Sequence, residues 1–331
     1  MKQSLILLSC TLLLLLEAMV SLWVGRYPVS PDQLFSFLID RQSTDPHLHA
    51  VLFHIRLPRI IGAVAVGGAL SLAGAAYQGM FRNPMVSPDI LGVSSGAGFG
   101  AALAILLSLP AIAVQASAFT GGAIAVFLAV WVSRSIGKNH NAILVLVLSG
   151  IVISALFTAL ISLVKYSADP ENRLPAITFW LMGSLADIRM QELPYVLALV
   201  TAGSLPILLL GWRLNVLSFG EDEARALGIH TDRLRMIIIG SATLVTAGVI
   251  ALSGLVGWIG LVIPHAARMI TGPDHRIQLP LSFLSGGIAL LFFDNLARSL
   301  LAVEIPIGII TALAGAPFFI ILLKIISRET W

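Results

Sequence analysis

Apolar residues along this chain run in long blocks separated by short polar breaks. About 20 apolar residues in a row is the length an α-helix needs to cross roughly 30 Å of hydrocarbon at 1.5 Å per residue. The blocks predict membrane-spanning helices at about 4–24, 59–80, 89–109, 112–133, 142–165, 192–211, 236–256, 258–271, 279–299 and 306–326. The seventh and eighth nearly fuse around Gly254, Gly257 and Gly260, so ten is the expected count, with nine or eleven as its neighbours. An even count puts both termini on one side. The expected fold class is an all-α polytopic membrane protein, with residues 1–331 forming one transmembrane domain.

The first block resembles a leader only at its start. Lys2 precedes Leu5 to Leu16, but the apolar run continues to about Val24 and no A-x-A site follows it. A secretory h-region is shorter, about 7–15 residues, so the block reads as a retained span. Glu17 within it is either a polar residue on a helix face or a functional group, and one isolated carboxylate does not decide.

Two polar segments interrupt the blocks. Residues 25–56 form an outer loop, with Ser30-Pro31-Asp32 a helix start. Residues 212–235 are the most charged stretch. Within it, Ser218 to Leu227 reads as one short exposed helix, with Glu221, Asp222 and Glu223 near its positive end and Gly228 as its stop. Its small apolar face, Ala224 and Leu227, has no lipid to meet. A solvated connector and a docking helix for a soluble partner both fit that pattern.

Composition agrees with lipid as the second solvent: 57% of residues are hydrophobic and 11% charged, where an ordinary globular domain has about a quarter charged. A net charge of +3 with no run of Lys and Arg excludes nucleic acid as a partner. Cys10 is the only cysteine, which excludes a disulfide framework and a thiolate metal site.

Loop charge sets the orientation. With both ends cytoplasmic, the inside holds Lys2, Arg82, Arg134, Lys138, Arg213, Arg225, Arg233, Arg235, Arg268, Arg276, Lys324 and Arg328. Arg26, Arg41, Arg56, Arg59, Lys165, Arg173, Arg189 and Arg298 lie outside, a bias of twelve against eight. Gly92, Gly96 and Gly100 space two G-x-x-x-G steps, and Gly67, Gly68 and Gly74 do similarly in the second span; both patterns predict close helix packing.

Several chemistries are missing. The lone Gly-Lys pair, Gly137-Lys138, is followed by Asn139, so no P-loop exists. No H-E-x-x-H and no G-x-S-x-G occurs, and no metal site is expected. Charged residues well inside the spans are few: Glu17, Asp294 near Arg298, and His265 after Pro264. Asp294 and Arg298, four apart, pair on one helix face. His265 reads first as a packed structural histidine. A proton-coupled carrier needs a longer relay of such groups.

Six segments in order resemble the membrane permease of iron-siderophore, haem and cobalamin ABC importers, the type II importers. They are Arg56-Leu-Pro-Arg59; Gln78 to Ala97, reading QGMFRNPMVSPDILGVSSGA; Phe219 to Gly228, reading FGEDEARALG; Gly257 to Arg268, reading GWIGLVIPHAAR; Asp294 to Arg298, reading DNLAR; and Glu304-Ile-Pro-Ile-Gly308, leading to Gly315-Ala-Pro317. The resemblance runs from residue 56 to about 323. Met85 and Ser87 depart from it without consequence for mechanism.

That resemblance implies ten helices per subunit and a dimer of permease subunits with the pathway between them. It also implies two cytoplasmic ATPase subunits, which hold ATP and Mg while this chain carries no cofactor and catalyses no reaction, and a periplasmic solute-binding protein. Phe219, Gly220, Glu221, Ala224, Leu227 and Gly228 fall on the ATPase-coupling segment. Arg56, Arg59 and Arg298 fall on outer positions that pair with glutamates of the binding protein, as guanidinium forks suit; the simpler role is anchorage at the headgroups. The fifth and tenth spans line the pathway, with Asn139, His140 and Asn141 as a cytoplasmic gate. The implied setting is the bacterial inner membrane. A ferric siderophore is the expected cargo, with haem or cobalamin as alternatives. A self-sufficient secondary transporter is the alternative class; it predicts an internal repeat, none is evident, and the coupling segment would have no use in it.

Overall fold

The computed structural model describes residues 2–25, 27, 46–136 and 142–329. The candidate gate Asn139, His140 and Asn141, and the Ser30-Pro31-Asp32 helix start, lie outside them. Among the described residues all regular structure is helical. In chain order the helices are α1 (Lys2–Trp23), α2 (Pro46–Ala50), α3 (Leu57–Phe81), α4 (Val93–Leu106), α5 (Ala111–Ile136), α6 (Ala142–Ser167), α7 (Arg173–Met182), α8 (Leu193–Leu209), α9 (Gly211–Phe219), α10 (Glu221–Ala226), α11 (Thr231–Ser253), α12 (Ile259–Thr271), α13 (His275–Ser299) and α14 (Ile307–Glu329).

Six helical segments are long and apolar enough to cross a membrane, a seventh span is the bent pair α8–α9, and Val93–Leu106, Ile259–Thr271 and Ile307–Ile321 are shorter apolar helices. Six, one and three make the ten blocks of the sequence. The boundaries differ where backbone chemistry intervenes. Before α4, Pro88–Leu91 forms a 3-10 turn that Gly92 closes at φ +86°, and a Cβ on Gly92 would also press on Ser154 of α6, so Gly92 serves both turn and packing. The seventh and eighth spans separate cleanly, because α11 ends at Gly254 (φ +67°) and α12 starts only at Ile259. Within residues 25–56, the described stretch Pro46–Arg56 is helical. α2 continues through a π-helical turn at Val51–Arg56 into α3, which lengthens the second span backwards. α7 was invisible in the apolar pattern, being ten residues that start from a polar turn.

α3 is the axis of the bundle: 22 of its 25 residues, all but Leu57, Ile61 and Val64, are buried. Glycine makes this possible. A Cβ on Gly67 would run into the Gly286 carbonyl of α13, and one on Gly96 would run into that of Gly121 in α5. Backbones approach that closely in lipid because packing, not the expulsion of water, holds the helices together. The periphery is apolar outward, with Leu5, Leu12 and Leu16 of α1 and Phe127 and Trp131 of α5 all more than half exposed, as side chains that meet acyl chains should be.

Candidate functional site

The bundle has two polar ends. At one, Ser21 and Leu22 of α1, Arg56 and Arg59 at the start of α3, Asp294 and Arg298 of α13, and Glu304 before α14 converge. At the other, the Asn215 amide of α9 donates to Asp274 Oδ1 (2.6 Å), and the His275 backbone N–H donates back to Asn215 (2.7 Å). That amide holds the Asp274 carboxyl below the ordinary carboxylate range. Loop charge assigned the three arginines and the 212–235 segment to opposite faces, and the bundle places them at opposite ends.

The arginines meet there, but not as free guanidinium groups. All three are buried: Arg56 is 2% exposed, Arg59 6% and Arg298 6%. Arg59 Nε donates to both Asp294 oxygens at 2.8 Å, its Nη2 lies 2.7 Å from Asp294 Oδ1, and that same Nη2 binds Glu304. Asp294 is fully enclosed, its side chain 1% exposed, whereas Glu304 is 28% exposed. Arg298 donates to the Ser21 carbonyl (2.7 Å) and to Asn295 Oδ1. Arg56 donates to the Leu22 and Tyr27 carbonyls. Within this chain the three arginines form an internal cluster, each already holding a partner of its own. The physical reason is Asp294: a carboxylate sealed at a helix end needs a cation, and Arg59 is the closer of the two at hand. The four-residue pair Asp294–Arg298 is only a 3.8 Å contact for the same reason.

The coupling segment is two helices instead of one. Gly220 adopts φ +144°, ψ +163°, which stops α9 at Phe219, and α10 then occupies Glu221–Ala226. A side chain at Gly220 would also collide with Glu223. α10 ends in a Schellman turn: Gly228 N–H donates to the Arg225 carbonyl and Ile229 N–H to that of Ala224, both at 2.9 Å, with Gly228 at φ +79°. The predicted stop is where it was expected. Ala224 is not: it is 0% exposed and packs inward among Leu214, Leu217 and Leu234. Glu221 also turns inward, to Arg235 of α11. The large apolar residues of the segment that face outward are Phe219 (75% exposed) and Leu227 (65%), beside the exposed Asp222, Glu223 and Arg225.

Pattern reading gave Glu304 and Arg235 no individual role, and Ser21, Asn215 and Asn295 none at all. The one signal available was stoichiometric, since Asp294 and Glu304 each need a cation in a medium without water. His265 is 8% exposed, and neither ring nitrogen has a hydrogen-bond partner among the described residues. Among those residues no group of three His, Cys, Asp or Glu could hold a metal ion.

Comparison with known proteins places this geometry. The FecCD transport family matches residues 12–324. The molybdate import system permease protein of Haemophilus influenzae is 43% identical over 329 residues, covering 98% of this chain and 96% of that protein. The cobalamin import system permease protein of Halobacterium salinarum is 44% identical over 271 residues, 82% of this chain and 72% of that protein. A solved structure described as an inward-facing conformation of a putative metal-chelate type ABC transporter superposes with a TM-score of 0.88 at 41% identity, covering 96% of this chain and 98% of that one.

Proposed function

The chain belongs to the FecCD transport family, and from that premise we propose that it is the permease subunit of an ATP-driven importer carrying a metal chelate from periplasm to cytoplasm. The observation that carries the reading is the α9–α10 pair. These are ordered helices at one end of a lipid-facing bundle, fixed from beneath by Ala224 and Glu221, which present Phe219 and Leu227 outward. An apolar pair held out on a polar end has a soluble protein as its natural partner. In this reading two cytoplasmic ATPase subunits dock there and bind the ATP and Mg; the chain itself, without a P-loop, is not an enzyme. A second permease subunit, identical or paralogous, completes the pathway. Both termini are cytoplasmic, and the membrane is the bacterial inner membrane.

The binding protein docks at the arginine end by carboxylate exchange. Glu304 is the more exposed of the two acids on Arg59, so an incoming glutamate displaces it while Asp294 keeps its hold. Arg56 and Arg298 brace the ends of α1 and α13 under that surface. The cargo is a ferric siderophore in the first reading. A metal oxyanion is the second, favoured by the Haemophilus influenzae relative named for molybdate, which aligns over nearly its whole length. Proteoliposomes holding the chain, its ATPase and its binding protein should accumulate ⁵⁵Fe-siderophore when ATP is inside the ATPase compartment. Accumulation of ⁹⁹Mo-molybdate with no iron uptake selects the second reading, and uptake independent of ATPase sinks both.

A further inference from the structure

The polar residues around α10 outnumber what docking requires. α10 is tied to α11 three ways: Glu221 pairs with Arg235, Ile229 N–H donates to the Ala224 carbonyl, and Arg225 Nε donates to Thr231 Oγ1 at 3.3 Å. The last two hold the turn itself. Only the first reaches past the turn, 14 residues along the chain, to a side chain that is 10% exposed. Arg235 otherwise meets Asp232 at 3.8 Å, a surface carboxylate with 83% of its side chain exposed. Within the protein, Glu221 is thus the partner that neutralises Arg235.

α11 is one unbroken helix with a buried face. Leu234, Ile238, Ala242, Val245 and Val249 recur at helical spacing, and each is at most 3% exposed. Twenty-three residues span about 35 Å, the full depth of the bundle. At its far end the Ser253 carbonyl accepts from Ser184 N–H (2.8 Å), and a Cβ on Gly254 would touch Gly183. The Gly183 carbonyl accepts from Ile307 N–H (3.1 Å), the first residue of α14, three residues after Glu304.

We infer that the Glu221–Arg235 ion pair is the strut through which α10 drives α11, making Arg235 a positioning residue for transport although it touches neither ATPase nor cargo. The inference rests on the ATPase-docking reading above. A push on Phe219 and Leu227 displaces α10. The turn at Gly228 is held by its two backbone hydrogen bonds and by Arg225–Thr231, and the Glu221–Arg235 pair is the side-chain link that reaches past it into α11. Through that link α11 takes up the movement and delivers it to Gly183, the base of α14 and the Glu304–Arg59 pair.

The test uses the full complex in proteoliposomes with Arg235→Gln, Arg235→Lys, Glu221→Gln and the Glu221→Gln/Arg235→Gln double variant. Three quantities are read: copurification of the ATPase, hydrolysis rate and cargo taken up per ATP. For Arg235→Gln the strut predicts normal copurification and hydrolysis, with uptake per ATP reduced about 5- to 100-fold, the range of ordinary site-to-site coupling. Arg235→Lys should recover part of the loss, and the double variant should be no worse than either single. A wild-type uptake ratio in Arg235→Gln, or losses that multiply in the double variant, overturns the strut. So does loss of copurification in Arg235→Gln alone, which would make Arg235 a support for the docking surface. Failure of the unmodified chain to copurify its ATPase refutes the docking reading itself, a separate result.

Discussion

Replacing Arg59 with Ala removes the close counter-ion of two carboxylates and leaves Asp294 only the 3.8 Å contact to Arg298. Asp294, with 1% of its side chain exposed, loses three contacts of 2.7–2.8 Å, and Glu304 loses its only ion pair among the described residues. Removing one partner of a buried pair costs about 3–5 kcal/mol, because the survivor keeps its desolvation penalty without the attraction that offset it. Arg59 lies at the upper part of that range, since it serves two acids and the less exposed one is sealed. The effect belongs to folding, so it should appear in the isolated chain: a drop in Tm on the order of 10 °C in detergent, from roughly 2–4 °C per kcal/mol. Arg59→Met combined with Asp294→Leu should recover most of that loss, since an apolar pair of similar volume removes both buried charges. Thermal unfolding of the three purified chains, followed by size-exclusion fluorescence, measures this. A wild-type Tm for Arg59→Ala, with affinity for the binding protein lost, would refute the reasoning. Arg59 would then be a surface docking residue, not the counter-ion of Asp294.

Phe219→Glu and Leu227→Glu each place a charge on the outward apolar pair of the α9–α10 segment; ATPase copurification should fall at least tenfold with the Tm of the isolated chain unchanged, since both positions are mostly exposed. Ala224→Glu should instead lower that Tm by several degrees, because it drives a charge into a site with no exposure. The purified chain should hydrolyse no ATP above background in a phosphate-release assay, the consequence of the missing P-loop.

The spans were legible because hydrocarbon thickness imposes a length that local composition reports directly. Breaks inside polar stretches were not. Gly220 reads as an ordinary residue of a short helix until its φ and ψ are known, and the continuation of α3 back through Pro46–Arg56 is masked by Arg56, Pro58 and Arg59, which mark a membrane boundary. Loop charge grouped the three arginines at one end of the bundle, where they meet, but it could not give their partners. Arg59 lies 235 residues from Asp294 and 245 from Glu304, and no local pattern carries a pairing across that distance. Ala224 shows the same limit on a small scale: with Leu227 it forms an apolar face, and only the packing of Leu214, Leu217 and Leu234 decides which of the two is covered.

In the proposed function the α9–α10 end faces the cytoplasm and receives the ATPase. This is tested most directly with single cysteines at Phe219 or Leu227, in a chain whose Cys10 is changed to Ser so that no other thiol remains. A membrane-impermeant maleimide should label Phe219→Cys and Leu227→Cys in inside-out vesicles and not in right-side-out ones, and the bound ATPase should block that labelling. Labelling from the periplasmic side, or labelling unaffected by saturating ATPase, would contradict the account.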